Sequence, residues 1–268
     1  MIPFPPFLSM NSAGFSDWVC VRERRPFVQH LTNAISASFQ ADVINALGGR
    51  CMMSLHPEEV GAIAARADAL LINIGAPDAD SSLRYRRALD VAQLRGIPVV
   101  LDPVGYGFTP IRSEIIDSLL KEYSFSIIRG NGGEIALLAG MEGDVCGVDG
   151  SSSIDVIHEA VSVVAKRFSC VCAATGEADC ISDGSEVAVL KGGTPVLGRI
   201  SGSGCALGSV MGLLLAVCSP MTAAKNAITL FNCAAVEAAK KSEKPGSFKA
   251  YFIDAMVSLS EGSDGDGF

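Results

Sequence analysis

The residues Ala69-Leu-Leu-Ile-Asn-Ile-Gly75 form an almost unbroken apolar run of strand length. A strand with one wet face alternates apolar and polar positions. A strand that is apolar nearly throughout is covered on both faces, as central strands of parallel sheets are. Ile97–Leu101 and Cys170–Ala174 repeat the pattern. Parallel neighbours cannot be joined by a tight turn and need a crossover, usually a helix. Segments with helical apolar spacing do lie between these runs. The alternation predicts one α/β domain with a mostly parallel central sheet and helices on both faces.

Local signals place the other elements. Residues 1–20 read as a loose leader with a short helix near Trp18. Pro26–His30 is a short strand, Thr32-Asn33 caps a helix over Ile35–Leu47, and Gly48-Gly49 ends it. Cys51–Leu55 is a small buried strand, and Pro57 opens a helix to Arg66 at a favoured first position. Helices over Ser81–Leu94, Ser113–Glu122 and Ile135–Ala139 follow, with a strand at Ser124–Ile128. Met141–Ser153 is a Gly- and acid-rich surface loop, and Ile154–Arg167 an amphipathic helix. Cys180–Leu190 reads as a hairpin turning at Asp183-Gly184. Helices at Ala206–Cys218, Thr222–Lys241 and Phe248–Leu259 complete the set, and residues 261–268 read as a disordered tail. No linker or repeat divides residues 21–260.

Composition narrows the function. A net charge of −8 disfavours nucleic acid and anionic membranes as partners, so a phosphate ligand must be held locally, by backbone amides, one or two Arg and a metal. The nine cysteines are odd in number and scattered, without Cys-x-x-Cys or zinc-finger spacing, which fits a reduced, cytoplasmic setting. The opening Met-Ile-Pro-Phe-Pro-Pro-Phe lacks a signal peptide's basic start and apolar stretch, and no run is long enough to cross a membrane.

Ligands in open α/β sheets bind beyond the carboxyl ends of the strands. Polar and glycine clusters fall at those ends: Asn73-Ile-Gly75, Asp102, Arg129 to Glu134, Thr175 to Asp179, and Ser201 to Cys205. The last is the most suggestive, because Gly202 and Gly204 run straight into an apolar helix with Ser201 or Ser203 as N-cap. A helix start carries unpaired N–H groups and a partial positive charge, and glycine lets an anion approach the backbone. Cys205 sits at that mouth, where a thiolate is favoured and a nearby hydroxyl can be held. A tightly packed buried helix explains the same glycines when they are taken alone.

Thr32-Asn33 with Leu47-Gly48, Asn73-Ile-Gly75, Leu101-Asp-Pro-Val-Gly105, Ile128-Arg-Gly-Asn-x-x-Glu134, Thr175-Gly176, Gly202-Ser-Gly-Cys205, Gly246-Ser-Phe248 and Asp254 together resemble the hydroxyethylthiazole kinase family. The motifs stand in order from about residue 26 to 260. The resemblance implies a ribokinase-like fold and ATP- and Mg2+-dependent phosphorylation of the hydroxyethyl side chain of a methylthiazole, in thiamine salvage. It implies a homotrimer whose active sites lie at subunit interfaces. By the same resemblance Cys205 stands where ribokinase-like enzymes carry a base Asp, and Gly202 and Gly204 frame the anion hole. Met53, with Met52 adjacent, and Gly202 fall on substrate-contacting positions, and Asn33 either bonds the thiazole or caps its helix. Arg129, Thr175 and Gly176 line the ATP site. Asp102, Asn131 and Glu134 form the metal and phosphate network, although Asp102 also reads as a turn residue and Glu134 as a first-turn charge. The chain departs from the family in Ser201 and Ser203 for Thr, in Gly132-Gly133 for Ala-Ser, and in a longer leader.

Three other readings compete. A hydroxymethylpyrimidine-type kinase is opposed by Cys205 and by the Thr32-Asn33 start. A non-catalytic nucleotide- or thiazole-binding protein is opposed by the intact Asp102, Asn131, Glu134 and Cys205. A dinucleotide-binding dehydrogenase is opposed by a late Gly-x-Gly with no acidic residue about twenty positions on at a strand end. The dispersed His30, His56 and His158 make a histidine-based site improbable.

Overall fold

A computed structural model describes residues 12–141 and 154–262. The loop read at Met141–Ser153, beyond Met141, and the tail from residue 263 lie outside the described residues. Eight strands form one sheet: β1 (Phe27–Leu31), β2 (Arg50–Met53), β3 (Ala69–Asn73), β4 (Val99–Asp102), β5 (Ile127–Asn131), β6 (Val171–Thr175), β7 (Ala178–Ser182) and β8 (Val187–Lys191). Their order is β2-β1-β3-β4-β5-β6-β7-β8. The first six are parallel, and β7 and β8 are antiparallel. The expected mostly parallel sheet is therefore present, and the expected hairpin is β7–β8, its turn closed by Asp183 accepting from the amides of Ser185 and Glu186.

Ten helices lie among the described residues: α1 (Ser12–Arg24), α2 (Ala37–Ala46), α3 (Pro57–Ala64), α4 (Ser81–Arg95), α5 (Pro110–Glu122), α6 (Gly132–Leu138), α7 (Ile154–Phe168), α8 (Ser203–Leu215), α9 (Pro220–Lys241) and α10 (Pro245–Glu261). Two apolar cores follow from the pleat of the sheet, since successive side chains point to opposite faces. Val28, Leu71, Val100 and Ile127 face α1, α2, α8, α9 and α10. Leu31, Leu70, Ile72, Leu101 and Ile128 face α3 to α7. Helices thus cover both faces, as the apolar strands require.

The N-terminal segment differs from its reading as a leader to residue 20. Ser12–Arg24 is helix, and Trp18 and Val21 are fully buried in the first core. The short helix expected near Trp18 is present; its length and its burial escape the sequence because α1 has little apolar periodicity. Two helix starts also differ from the expectation, in opposite directions. Ser219 accepts from the Thr222 amide, so α9 opens at Pro220 rather than Thr222. α2 begins at Ala37 rather than Ile35, because residues 34–36 form a turn and leave Ile35 exposed.

α8 is the central helix, buried from Ala206 through Leu215. A helix that is apolar all round can sit only inside. Two glycines let it lie close to the sheet: a Cβ on Gly208 would come within 3.4 Å of Leu71, and one on Gly212 within 3.3 Å of Val28.

His30 is fully buried on β1, with Nδ1 3.2 Å from the Val28 carbonyl and Nε2 without a partner. Burial lowers its pKa to about 4, the Val28 contact opposing. The folded state therefore holds the imidazole neutral, while the unfolded chain takes up a proton near pH 6.5. Stability from this residue is present above pH 6.5 and lost as pH falls towards 4, by roughly 3 kcal/mol. Urea unfolding followed by the fluorescence of Trp18, the single tryptophan, should give a flatter pH dependence over that window for His30→Leu. Parallel curves for the two proteins would contradict it.

Candidate active site

Strand β1 has β2 on one side and β3 on the other, so the connections leave it in opposite directions. A crevice forms at such a switch point, above the carboxyl ends. Asn33, just after β1, and Asn73, the last residue of β3, meet across it: Asn33 Nδ2 donates to Asn73 Oδ1 at 2.8 Å. Gly75 is required here, since a Cβ would lie 2.4 Å from Asn33 Nδ2.

From that crevice a line of polar side chains runs across four strand ends. Asn73 Nδ2 donates to Asp102 Oδ2 at 2.7 Å, and Arg129 Nη1 donates to the same oxygen at 3.1 Å. Arg129 Nη2 then reaches Thr175 Oγ1 at 3.0 Å. At the other end, Asn33 Nδ2 also approaches Cys205 Sγ at 3.8 Å. Cys205, Asn33, Asn73, Asp102, Arg129 and Thr175 are thus one connected set, assembled from α8 and from β1, β3, β4, β5 and β6.

The start of α8 lies over this line. Gly202 is the N-cap, with φ of +84°, and a Cβ there would meet Ser36 Cβ at 2.7 Å. Neither expected serine caps the helix: Ser203 Oγ donates instead to the Leu197 carbonyl. The Ser203 and Ala206 amides are bonded to Ile200 and Gly202. The amides of Gly204 and Cys205, in the first turn, have no carbonyl four residues back to bond. A Cβ on Gly204 would come 3.2 Å from Arg129 Nη1, so the guanidinium packs against the first turn of α8. Two amides, a helix dipole and a buried cation converge on one spot, which suits an anion.

Burial governs the charges. Asp102 is wholly buried, which pushes its carboxyl above the usual range, with Arg129 and Asn73 pulling the other way. Burial alone would lower Arg129, but Asp102, Glu134 and Cys205 outweigh it, and the guanidinium stays charged. Cys205 corrects the sequence reading. Its thiol is pushed up, by burial and by Asp102, against Ser36, Arg129 and Asn73. Burial thus favours the neutral thiol at this helix start.

Asn131 and Glu134 form a capping box on α6. Asn131 Oδ1 accepts from the Glu134 amide and Glu134 Oε2 from the Asn131 amide, both at 2.8 Å. Glu134 Oε1 accepts from the Gly105 amide at 2.7 Å, tying α6 to the loop after β4. Burial and the charge of Asp102 push the Glu134 carboxyl up, against the Gly105 and Asn131 amides and Arg129. Two carboxylates that repel one another, and a buried Asp102 Oδ1 without a partner, are the setting a divalent cation relieves. Among the described residues no three His, Cys, Asp or Glu side chains cluster as a full metal cage.

The remaining site residues are placed as follows. Asn33 Oδ1 accepts from the Ser36 amide at 3.1 Å while its Nδ2 donates to Asn73 Oδ1, and the N-cap position of α2 is Ser36 rather than Asn33. Gly176 donates its amide to Asp179 at 3.2 Å, beside Thr175. Met53 is half-buried on edge strand β2, paired in register with His30, and β1 and β3 separate it from Asp102. A recess of about 140 Å³ opens beside Asn33 and is lined by Thr32, Ala76, Arg84 and Tyr85 among others. Asn73 was legible as the one polar residue in its apolar run. Gln40 carried no such signal: it donates to Thr32 Oγ1 and Ser36 Oγ and accepts from Ser209 Oγ, bracing α2 against α8.

A ribokinase-like superfamily protein from Enterococcus faecalis superposes with a TM-score of 0.62 over 97% of this chain and 92% of its own, at 13% identity, a likeness of fold alone. The sheet order and its central helix give the chain a ribokinase-like fold. A model of the hydroxyethylthiazole kinase family matches residues 19–262. Hydroxyethylthiazole kinase of Methanocorpusculum labreanum is 38% identical over 239 residues, 89% of this chain and 90% of the relative. The structure of a hydroxyethylthiazole kinase protein from Pyrococcus horikoshii superposes with a TM-score of 0.84, at 31% identity, covering 91% of this chain and 92% of that one. The chain belongs to the hydroxyethylthiazole kinase family.

Asn73 joins both halves of the polar line, so its removal leaves Asn33 and Asp102 short of partners in a buried place. Asn73→Ala should cost about 1–3 kcal/mol, read as a lower urea midpoint at unchanged slope. A midpoint equal to that of the wild type would show that the line is not under load.

Proposed function

We propose that the protein transfers the γ-phosphoryl group of ATP to the hydroxyl of 4-methyl-5-(2-hydroxyethyl)thiazole, the salvage step that returns this alcohol to thiamine synthesis. The family gives the alcohol, and one observation carries the chemistry: the free amides of Gly204 and Cys205, the Arg129 guanidinium and the Cys205 thiol meet at the start of α8. Phosphoryl transfer depends mostly on positioning and charge neutralisation.

The amides and Arg129 hold the transferring phosphoryl group. Cys205, fixed by Asn33, hydrogen-bonds the alcohol and orients its oxygen for in-line attack. The new bond joins that oxygen to phosphorus, the bond to the β-phosphate oxygen breaks so that ADP leaves, and the alcohol proton passes to solvent. Asp102 and Glu134 would hold Mg2+, largely through water, with Asn131 fixing Glu134. The ion supplies positive charge to the phosphate oxygens. Thr175 and Gly176 flank the nucleotide on the β6 side. Met53 and Gly202 line the alcohol's side, with the recess beside Asn33 in reach.

We also read the protein as a homotrimer with active sites shared between subunits. Edge strand β2 supports this, since Met52 (47% exposed) and Leu55 (58%) present apolar surface beside Met53. A cytoplasmic location suits the cysteines, which are free throughout the described residues. No helix among those residues is long and apolar enough to cross a membrane.

The test is ATP consumption with the thiazole alcohol against a hydroxymethylpyrimidine. Turnover with the thiazole and little with the pyrimidine is expected, and the reverse would overturn the reading. A carboxylate accepts the alcohol proton better than a neutral thiol, so Cys205→Asp should keep or raise kcat. Cys205→Ala should lower it, by about tenfold or more. The opposite order would remove Cys205 from its role.

A further inference from the structure

Arg112 belongs to no part of the site described so far, yet it makes three hydrogen bonds into the loops that carry it. Placed in the first turn of α5 and half-buried, it donates from Nη1 to the carbonyls of Ile74 (2.7 Å) and Val104 (2.8 Å), and from Nη2 to that of Gly75 (2.8 Å). Ile74 and Gly75 follow Asn73 directly, and Val104 is two residues past Asp102. One planar guanidinium therefore ties the loop after β3 to the loop after β4. The next residue in the second loop, Gly105, lies flat on the same side chain: with φ of +74°, a Cβ there would be 3.1 Å from Arg112 Cδ. Gly105 is also the residue whose amide holds Glu134 Oε1.

We propose that Arg112 is a positioning residue for phosphoryl transfer: by clamping the loops after β3 and β4 it fixes Asp102 and Glu134 relative to one another. Strand pairing between β3 and β4 ends near Asn73 and Asp102, so beyond that point something else must hold the two loops. A guanidinium fork reaches carbonyls on both loops at once; the point charge of lysine reaches fewer. The inference rests on the kinase reading above.

Arg112→Ala and Arg112→Lys test it. Small misplacements of reacting groups cost up to about a hundredfold in rate, so kcat should fall roughly ten- to a hundredfold in Arg112→Ala while KM for the thiazole alcohol is unchanged. Arg112→Lys should recover part of the loss. Amide exchange without ligands should quicken at residues 74–76 and 104–106 in both variants and stay unchanged in α8. If Arg112→Ala does not fold, Arg112→Lys decides: reduced kcat with local exchange supports the clamp. An active wild type with unaltered kcat in the folded variants would overturn it. So would kcat and KM changing together with faster exchange across the whole sheet, the mark of a merely structural residue. A wild type inert toward the alcohol would instead count against the kinase reading.

Discussion

A carboxylate with no exposed surface sits at the end of the fourth strand, and the site is built to keep it there. Moving a carboxylate out of water is costly unless partners and hydrogen bonds replace the solvent. Asp102 has Arg129 from the neighbouring strand on one side and Asn73 from the other. Each partner is held in turn, Arg129 by Thr175 and Asn73 by Asn33. The arrangement extends outward until it reaches Cys205 at one end and Thr175 at the other. It leaves one oxygen of Asp102 unsatisfied, an arrangement suited to a ligand rather than to stability alone.

The position of α8 follows from the same requirement. Its first turn can lie against Arg129 only because Gly204 has no side chain, and its entry can pass Ser36 only because Gly202 has none. The interior glycines let the helix sink onto the sheet. A cation thereby lies against a helix start whose first-turn amides are free. The electrostatics that favour a phosphate there also keep a positive charge near a thiol that burial holds protonated.

The sheet was legible because buried parallel strands have no polar face to confuse the pattern, as in Ala69–Asn73. The strand-end clusters were legible for the same reason, since polarity reappears abruptly at Asp102 and Arg129. Other features were not. Trp18 belongs to the core although its helix has little apolar periodicity, because tertiary packing rather than amphipathicity holds α1. Ser203 was a reasonable cap by local chemistry, but its hydroxyl is taken by Leu197 and glycine geometry caps the helix. The state of Cys205 depends on desolvation, which a linear sequence does not contain. Arg112 is one charged residue in a helical turn until two loops from elsewhere fold against it.

The most direct measurement is diffraction from crystals grown with the thiazole alcohol, Mg2+ and a non-hydrolysable ATP analogue. The account predicts the alcohol oxygen within hydrogen-bond reach of Cys205 Sγ, terminal phosphate oxygens on the amides of Gly204 and Cys205, and the ion's density on the Asp102 side. Guests bound away from the start of α8, with those amides left to water, would contradict it.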